Sequence, residues 1–125
     1  MKPTIYTFRR ILIVIMVLTL SLSADCLFAG DQPDQVIKIT AKKFEYTPNE
    51  IRIKKGVPVV LEFTSLDRIH GFTVPDLGGV RATIEPGKTS RVTIVAPKAG
   101  IYEFHCDIFC GDGHEGMTGK IIVEE

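Results

Sequence analysis

The segment Cys106-Asp107-Ile108-Phe109-Cys110-Gly111-Asp112-Gly113-His114-Glu115-Gly116-Met117 gathers two thiols, an imidazole and a thioether into one short stretch. Such soft and borderline donors suit copper or zinc rather than calcium or magnesium. His70, far upstream, is a further strong donor if the fold carries it to the same end. Cys106, Cys110, His70 and His114 would complete a zinc tetrahedron and leave Met117 to packing. Cys110, His114, Met117 and His70 alone would complete the Cys, two His and axial Met set of a mononuclear blue-copper site. Met117 favours copper in either case, because a thioether is a weak axial donor to copper and a poor ligand for zinc. In an oxidising compartment the two cysteines could instead close a structural disulfide. No nucleophile with a nearby base is evident, and no open substrate position, so the chain reads as a non-enzyme.

Converging these donors requires a rigid frame. Apolar residues recur with period two at Ile37, Ile39 and Ala41, at Ile51 and Ile53, and at Val59, Leu61 and Phe63. The same spacing returns at Val92, Ile94 and Ala96 and at Tyr102, Phe104 and Cys106, with Ile121-Ile122-Val123 as a closing strand. Turn residues separate the runs at Thr47-Pro48-Asn49, Lys55-Gly56, Asp76-Leu77-Gly78-Gly79, Glu85-Pro86-Gly87 and Pro97-Lys98-Ala99-Gly100. Six to eight short strands at this spacing predict an all-β, two-sheet Greek-key sandwich. The donor-rich segment would then be a loop between the Tyr102 to Cys106 strand and the Gly119 to Val123 strand, held at both ends. His70 would follow the Val59 to Phe63 strand. His105, out of phase with Phe104 and Cys106, is expected to face solvent or the other sheet rather than a metal.

The N-terminus has a different character. Lys2, Arg9 and Arg10 precede an apolar run from Ile11 to Leu22, and Ala29 offers a small residue for cleavage. That pattern predicts a secretory signal peptide over residues 1–29, cleaved or else retained as an anchor, and a domain over 30–125 exported to the periplasm or beyond. The run is shorter than the ~20 apolar residues that span a bilayer. Membrane attachment is thus expected only if the segment is retained. The whole chain balances 15 basic against 15 acidic residues. Lys2, Arg9, Arg10 and Asp25 fall in the signal, which leaves the domain at a net −2. With no basic stripe, nucleic acid is excluded as a partner.

Two motifs carry a family resemblance. Cys106-x3-Cys110-x3-His114-x2-Met117, with His70-Gly71-Phe72-x-Val74-Pro75-x-Leu77-Gly78 upstream, resembles the binuclear copper (CuA) domain of cytochrome c oxidase subunit II and nitrous oxide reductase, within the cupredoxin superfamily. The likeness spans about Ile37 to Val123 and implies a cupredoxin-like sandwich with two coppers. It implies that Cys106 and Cys110 bridge the coppers and that His70 and His114 cap one each. Met117 and the backbone carbonyl of Ile108 would be weak ligands. The implied role is electron transfer between a redox donor and a redox acceptor protein, with Phe72, Phe109 and Leu77 as an apolar rim and His114 as the electron's exit. Any oxidase or reductase activity would belong to a partner subunit. The chain departs from the oxidase pattern in three respects. It has no transmembrane hairpin before the domain, Ile108 stands where a magnesium-binding glutamate is typical, and tryptophan is absent. The competing functions are a one-copper blue carrier and a periplasmic copper carrier or chaperone. With Met1 and Met16 in the signal, the domain keeps only Met117, which disfavours the methionine-rich surface of a delivery protein.

Overall fold

The computed structural model describes residues 35–125; the expected export signal lies outside the described residues. Each of the alternating runs forms a strand, since period-two spacing gives an extended chain one dry face. In chain order the strands are β1 (Gln35–Lys42), β2 (Glu45–Thr47), β3 (Glu50–Lys54), β4 (Val59–Ser65), β5 (His70–Val74), β6 (Val80–Ile84), β7 (Thr89–Ile94), β8 (Gly100–His105) and β9 (Thr118–Glu124). Two 3₁₀ turns, Pro75–Leu77 and His114–Gly116, complete the regular structure. Among the described residues, no helix is long and apolar enough to cross a membrane.

The strands make two sheets, ordered β2-β1-β4-β7 and β3-β9-β8-β5-β6. The chain passes repeatedly from one sheet to the other, so β1 lies parallel to β4 and β3 parallel to β9. This is the expected Greek-key sandwich. Its interior is filled from both inner faces: Val59, Leu61 and Phe63 of β4 are fully buried, whereas Val60, Glu62 and Thr64 between them are only half-buried. Phe63, Phe72, Phe104 and Tyr46 form an aromatic cluster with centroid separations of 4.6 Å for Phe63–Phe72, 5.0 Å for Phe72–Phe104 and 5.2 Å for Tyr46–Phe104. Edge and tilted contacts of this kind add to the area they bury. Phe72 therefore belongs to the core, not to the apolar rim; strand periodicity turns it inward beside Phe63 and Phe104.

Alternation alone does not find three of the strands. All five residues of β5 are buried, so β5 has no polar face to alternate with. Consequently His70 begins a central strand instead of occupying a loop. β2 has only three residues, too few to establish a period. β6 does alternate, with Val80, Ala82 and Ile84 inward of Arg81 and Thr83, but it is brief and lies between two turns. Conversely, β7 stops at Ile94 and β8 at His105. Ala96 is buried but precedes Pro97, which cannot continue a ladder.

The site end of β9 is packed tightly. A Cβ on Gly119 would lie 2.2 Å from the Phe104 ring and 2.5 Å from the Asn49 carbonyl oxygen. That carbonyl accepts the Lys120 N–H at 2.8 Å, which sets the start of the β3–β9 pairing. Gly119→Ala is accordingly expected to cost about 1–3 kcal/mol through overpacking. Urea unfolding of the metal-free protein should show a lower midpoint at unchanged slope.

Candidate metal centre

The donors arrive from two adjacent places in the second sheet. β5 presents His70 at its first residue, and the β8–β9 connection presents the rest. That connection is closed at its neck: His105 pairs with Thr118, and the Cys106 N–H donates to the Met117 carbonyl at 3.1 Å. Within the loop the His114 N–H donates to the Gly111 carbonyl at 3.0 Å and the Met117 N–H to the His114 carbonyl at 3.1 Å. These bonds wind the chain into the 3₁₀ turn that carries His114 and Met117 back over the cysteines. From the other side β5 presses against the loop. A Cβ on Gly71 would fall 2.0 Å from the Asp107 carboxylate and 2.9 Å from the Asp107 and Ile108 nitrogens, so only glycine admits the loop there.

The donors converge. His70, Cys106 and Cys110 are all buried, with ligand atoms within 4.8 Å of one another. The two Sγ atoms lie 3.8 Å apart. Both cysteines are free thiols in this structure, with no bond between them. The Cys106 Sγ is 3.1 Å from the Ile108 carbonyl oxygen. The Cys110 Sγ is 3.6 Å from His114 Nδ1 and 3.8 Å from Met117 Sδ. The other four residues expected from sequence, His70, Ile108, His114 and Met117, therefore gather around the sulfur pair. Phe109, 71% exposed, tilts over the His114 ring at a centroid distance of 5.8 Å. Phe109 and the half-buried Leu77 remain available to a rim. His105 is half-buried and adds no donor to the cluster. With His114 it lines a cleft of about 320 Å³ that reaches Cys106.

The second ring of contacts includes residues whose role the sequence did not disclose. Asp67 Oδ1 lies 2.6 Å from His70 Nε2, and the carboxylate also accepts the Arg68 N–H at 2.7 Å and the Lys43 N–H at 2.8 Å. An ionised carboxylate accepts, so Nε2 carries the imidazole proton and Nδ1 keeps its lone pair. His70 Nδ1 is buried and has no hydrogen-bond partner. Burying an unpaired acceptor is costly, and a metal beside the two thiols would satisfy it. Burial pushes the Asp67 carboxyl up, but the His70, Lys43 and Arg68 hydrogen bonds outweigh it and bring the carboxyl down to about 2. Burial first, and the neighbouring Cys106 thiol second, raise the Cys110 thiol to about 11. At neutral pH that thiol keeps its proton until a metal displaces it. Asp67 stands three residues before His70, just ahead of the upstream motif, where spacing alone does not disclose its role.

The comparisons agree with this geometry. The cupredoxin-like domain family matches residues 10–123. The chain belongs to that family. The chain is 36% identical over 94 residues to cytochrome c oxidase subunit 2 of Thermus thermophilus, covering 74% of this chain and 69% of that one. It is 37% identical over 92 residues to the nitrous-oxide reductase of Cupriavidus necator, but there it covers 70% of this chain and only 14% of the relative. In fold it is similar to the periplasmic domain of subunit II of cytochrome oxidase from Bradyrhizobium japonicum, with a TM-score of 0.69, 24% identity, and coverage of 75% and 86% of the two chains. This cupredoxin-like chain is thus a copper-binding, electron-transfer domain, and its His70, Cys106 and Cys110 cluster is compatible with copper.

The Asp67 carboxyl sets an acid limit on the metal-free domain. Its folded value lies below the ordinary 3.8, so the stability it contributes is present above about pH 4 and is lost as the pH falls through about 2. Asp67→Asn removes that dependence. The stability gap between wild type and Asp67→Asn should be widest above pH 4 and shrink toward pH 2, as read from urea midpoints at each pH.

Proposed function

We propose that this chain carries a binuclear, CuA-like copper centre and serves as an exported electron carrier. The observation that supports it best is a pair of buried free thiols 3.8 Å apart, with the other expected donors gathered around them. Cys106 and Cys110 would hold two coppers as bridging thiolates, His70 and His114 would cap them, and Met117 and the Ile108 carbonyl would be weak ligands. The metal pair, when bound, supplies a one-electron redox couple shared over both ions. The chain's own residues do the rest. The strand ends and the Cys106–Met117 clasp hold the donors in place, so little has to move when the charge changes. Phe109 covers His114, and the aromatic core behind Cys106 keeps water from the sulfurs.

Burial also supports this reading over its rivals. Cys106 is as enclosed as Cys110, at 2% and 0% exposure. A mononuclear blue site would leave Cys106 as a spare thiol in the middle of the cluster. A delivery protein needs donors that exchange readily, whereas His70, Cys106, Cys110 and Met117 are buried. The domain would work in the periplasm or an equivalent exported space, sent there by residues 1–29. The relatives' whole activities belong to longer chains: this one spans 69% and 55% of two Thermus thermophilus oxidase subunits and 14% of the reductase. Catalysis would therefore lie with a partner protein, and the exposed Phe109 would face such a partner at this end of the sandwich.

Loading the purified domain with copper should give two ions per chain and a paramagnetic spectrum split by two copper nuclei. One ion per chain with splitting from a single nucleus would reject the binuclear reading. Cys106→Ser should abolish the two-nucleus pattern. Met117→Leu should leave two coppers bound and shift the reduction potential, because a weak axial donor tunes a site more than it binds it.

A further inference from the structure

Tyr46 is 2% exposed and lies among Phe72 and Phe104, where phenylalanine would fill the same space without burying a hydroxyl. The hydroxyl donates to the Gly71 carbonyl at 2.5 Å. Strand geometry explains why Gly71 needs that donor. Alternate residues of a strand direct both backbone groups to the same side, so Gly71 faces the side that Thr73 uses to pair with His105 of β8. β8 ends at His105, and the chain then turns away into the ligand loop. Gly71 thus loses its ladder partner, and a buried backbone N–H and C=O must be satisfied some other way. The Gly71 N–H donates to Cys106 Sγ at 3.3 Å, and the Gly71 carbonyl accepts from Tyr46.

We propose that Tyr46 is a positioning residue for the Cys106 sulfur: its hydroxyl fixes the Gly71 backbone and thereby keeps the Gly71 N–H on Cys106 Sγ. Its consequence for copper rests on the proposed function; its consequence for the metal-free thiol does not. A hydrogen bond to a thiolate withdraws electron density from the sulfur and favours the reduced metal, so potentials depend on such bonds. The bond also restrains Cys106 selectively, because Cys110 has no backbone N–H from β5. Tyr46 comes from β2, the three-residue edge strand of the opposite sheet, so this contact couples the two sheets at the ligand loop.

Tyr46→Phe in the full-length protein removes only the oxygen. In the metal-free protein, native-state alkylation by iodoacetamide, resolved by peptide mass mapping, should speed up several-fold at Cys106 and little at Cys110. After copper loading, the metal count should be unchanged, the sulfur-to-copper absorption bands should move, and the reduction potential should fall. Phe63→Leu loosens the same aromatic cluster without touching the hydroxyl, and it should leave the Cys106-to-Cys110 alkylation ratio at its wild-type value. Equal acceleration at both cysteines in Tyr46→Phe, no acceleration at Cys106, or a Phe63→Leu ratio that matches Tyr46→Phe would each overturn the proposal. If wild type bound a single copper, the binuclear reading would fall while the alkylation result still decided the role of Tyr46. If wild type bound two and Tyr46→Phe matched it in alkylation and potential, only the positioning role would fall.

Discussion

The hydrogen bond from the Cys106 N–H to the Met117 carbonyl closes the ligand loop at its neck, and the arrangement of the centre follows from that closure. It extends the β8–β9 ladder by one step beyond His105 and Thr118, so the first and last donor residues of the loop are held across a strand pair. A loop pinned this way has few conformations left to lose when a metal binds. Between its ends the 3₁₀ turn His114–Gly116 folds His114 and Met117 back toward Cys110. β5 supplies the opposite wall, and the missing side chain of Gly71 lets the Asp107–Ile108 backbone rest against it.

Inside this frame the polar groups form linked chains rather than isolated pairs. Asp67 joins the β1–β2 turn, through the Lys43 amide, to His70 at the head of β5. Tyr46 joins β2 to Gly71, and Gly71 joins β5 to Cys106. Each link satisfies a backbone or side-chain group that the sheets leave without a partner. The buried hydrogen bonds from Tyr46 to Gly71 and from Gly71 to Cys106 lie at the metal end, whereas ion pairs such as Arg52 with Glu50 and Glu124 are exposed along β3 and β9. Exposed pairs of that kind contribute little to stability. The specificity of the fold at the metal end comes from buried groups whose partners are fixed in number and direction.

What the sequence reveals follows the same division. The strands with one wet face, β1, β3, β4, β7 and β8, are legible because their apolar residues alternate. β5 is not, because a strand buried on both faces has no polar phase, and the placement of His70 within a strand went unread with it. The ligand loop is the most legible part, since donor types at fixed spacing restrict the chemistry before any geometry is known. Asp67 and Tyr46 are the least legible. Their partners lie at the end of a ladder that only the three-dimensional pairing defines: Gly71 is a glycine in sequence and an unpaired strand residue in space. Phe72 illustrates the opposite error. Adjacency to a ligand suggested a rim, but strand periodicity turns it into the core.

The unpaired Nδ1 of His70 connects stability to function. The group is wholly buried and has no hydrogen bond, while its other nitrogen is held by a carboxylate that the surrounding amides keep ionised. A buried acceptor without a partner costs about 1–3 kcal/mol, and in the metal-free domain that cost is carried by the core behind it. The fully buried Phe63, Phe72 and Phe104 supply that support. A softer frame would let His70 rotate to meet water or a nearby amide, and the donor would be lost to the cluster. The rigidity that keeps Nδ1 unsatisfied is thus the property that keeps the donor set assembled, and an electron carrier, which must change charge without rearranging, is the role that such rigidity serves.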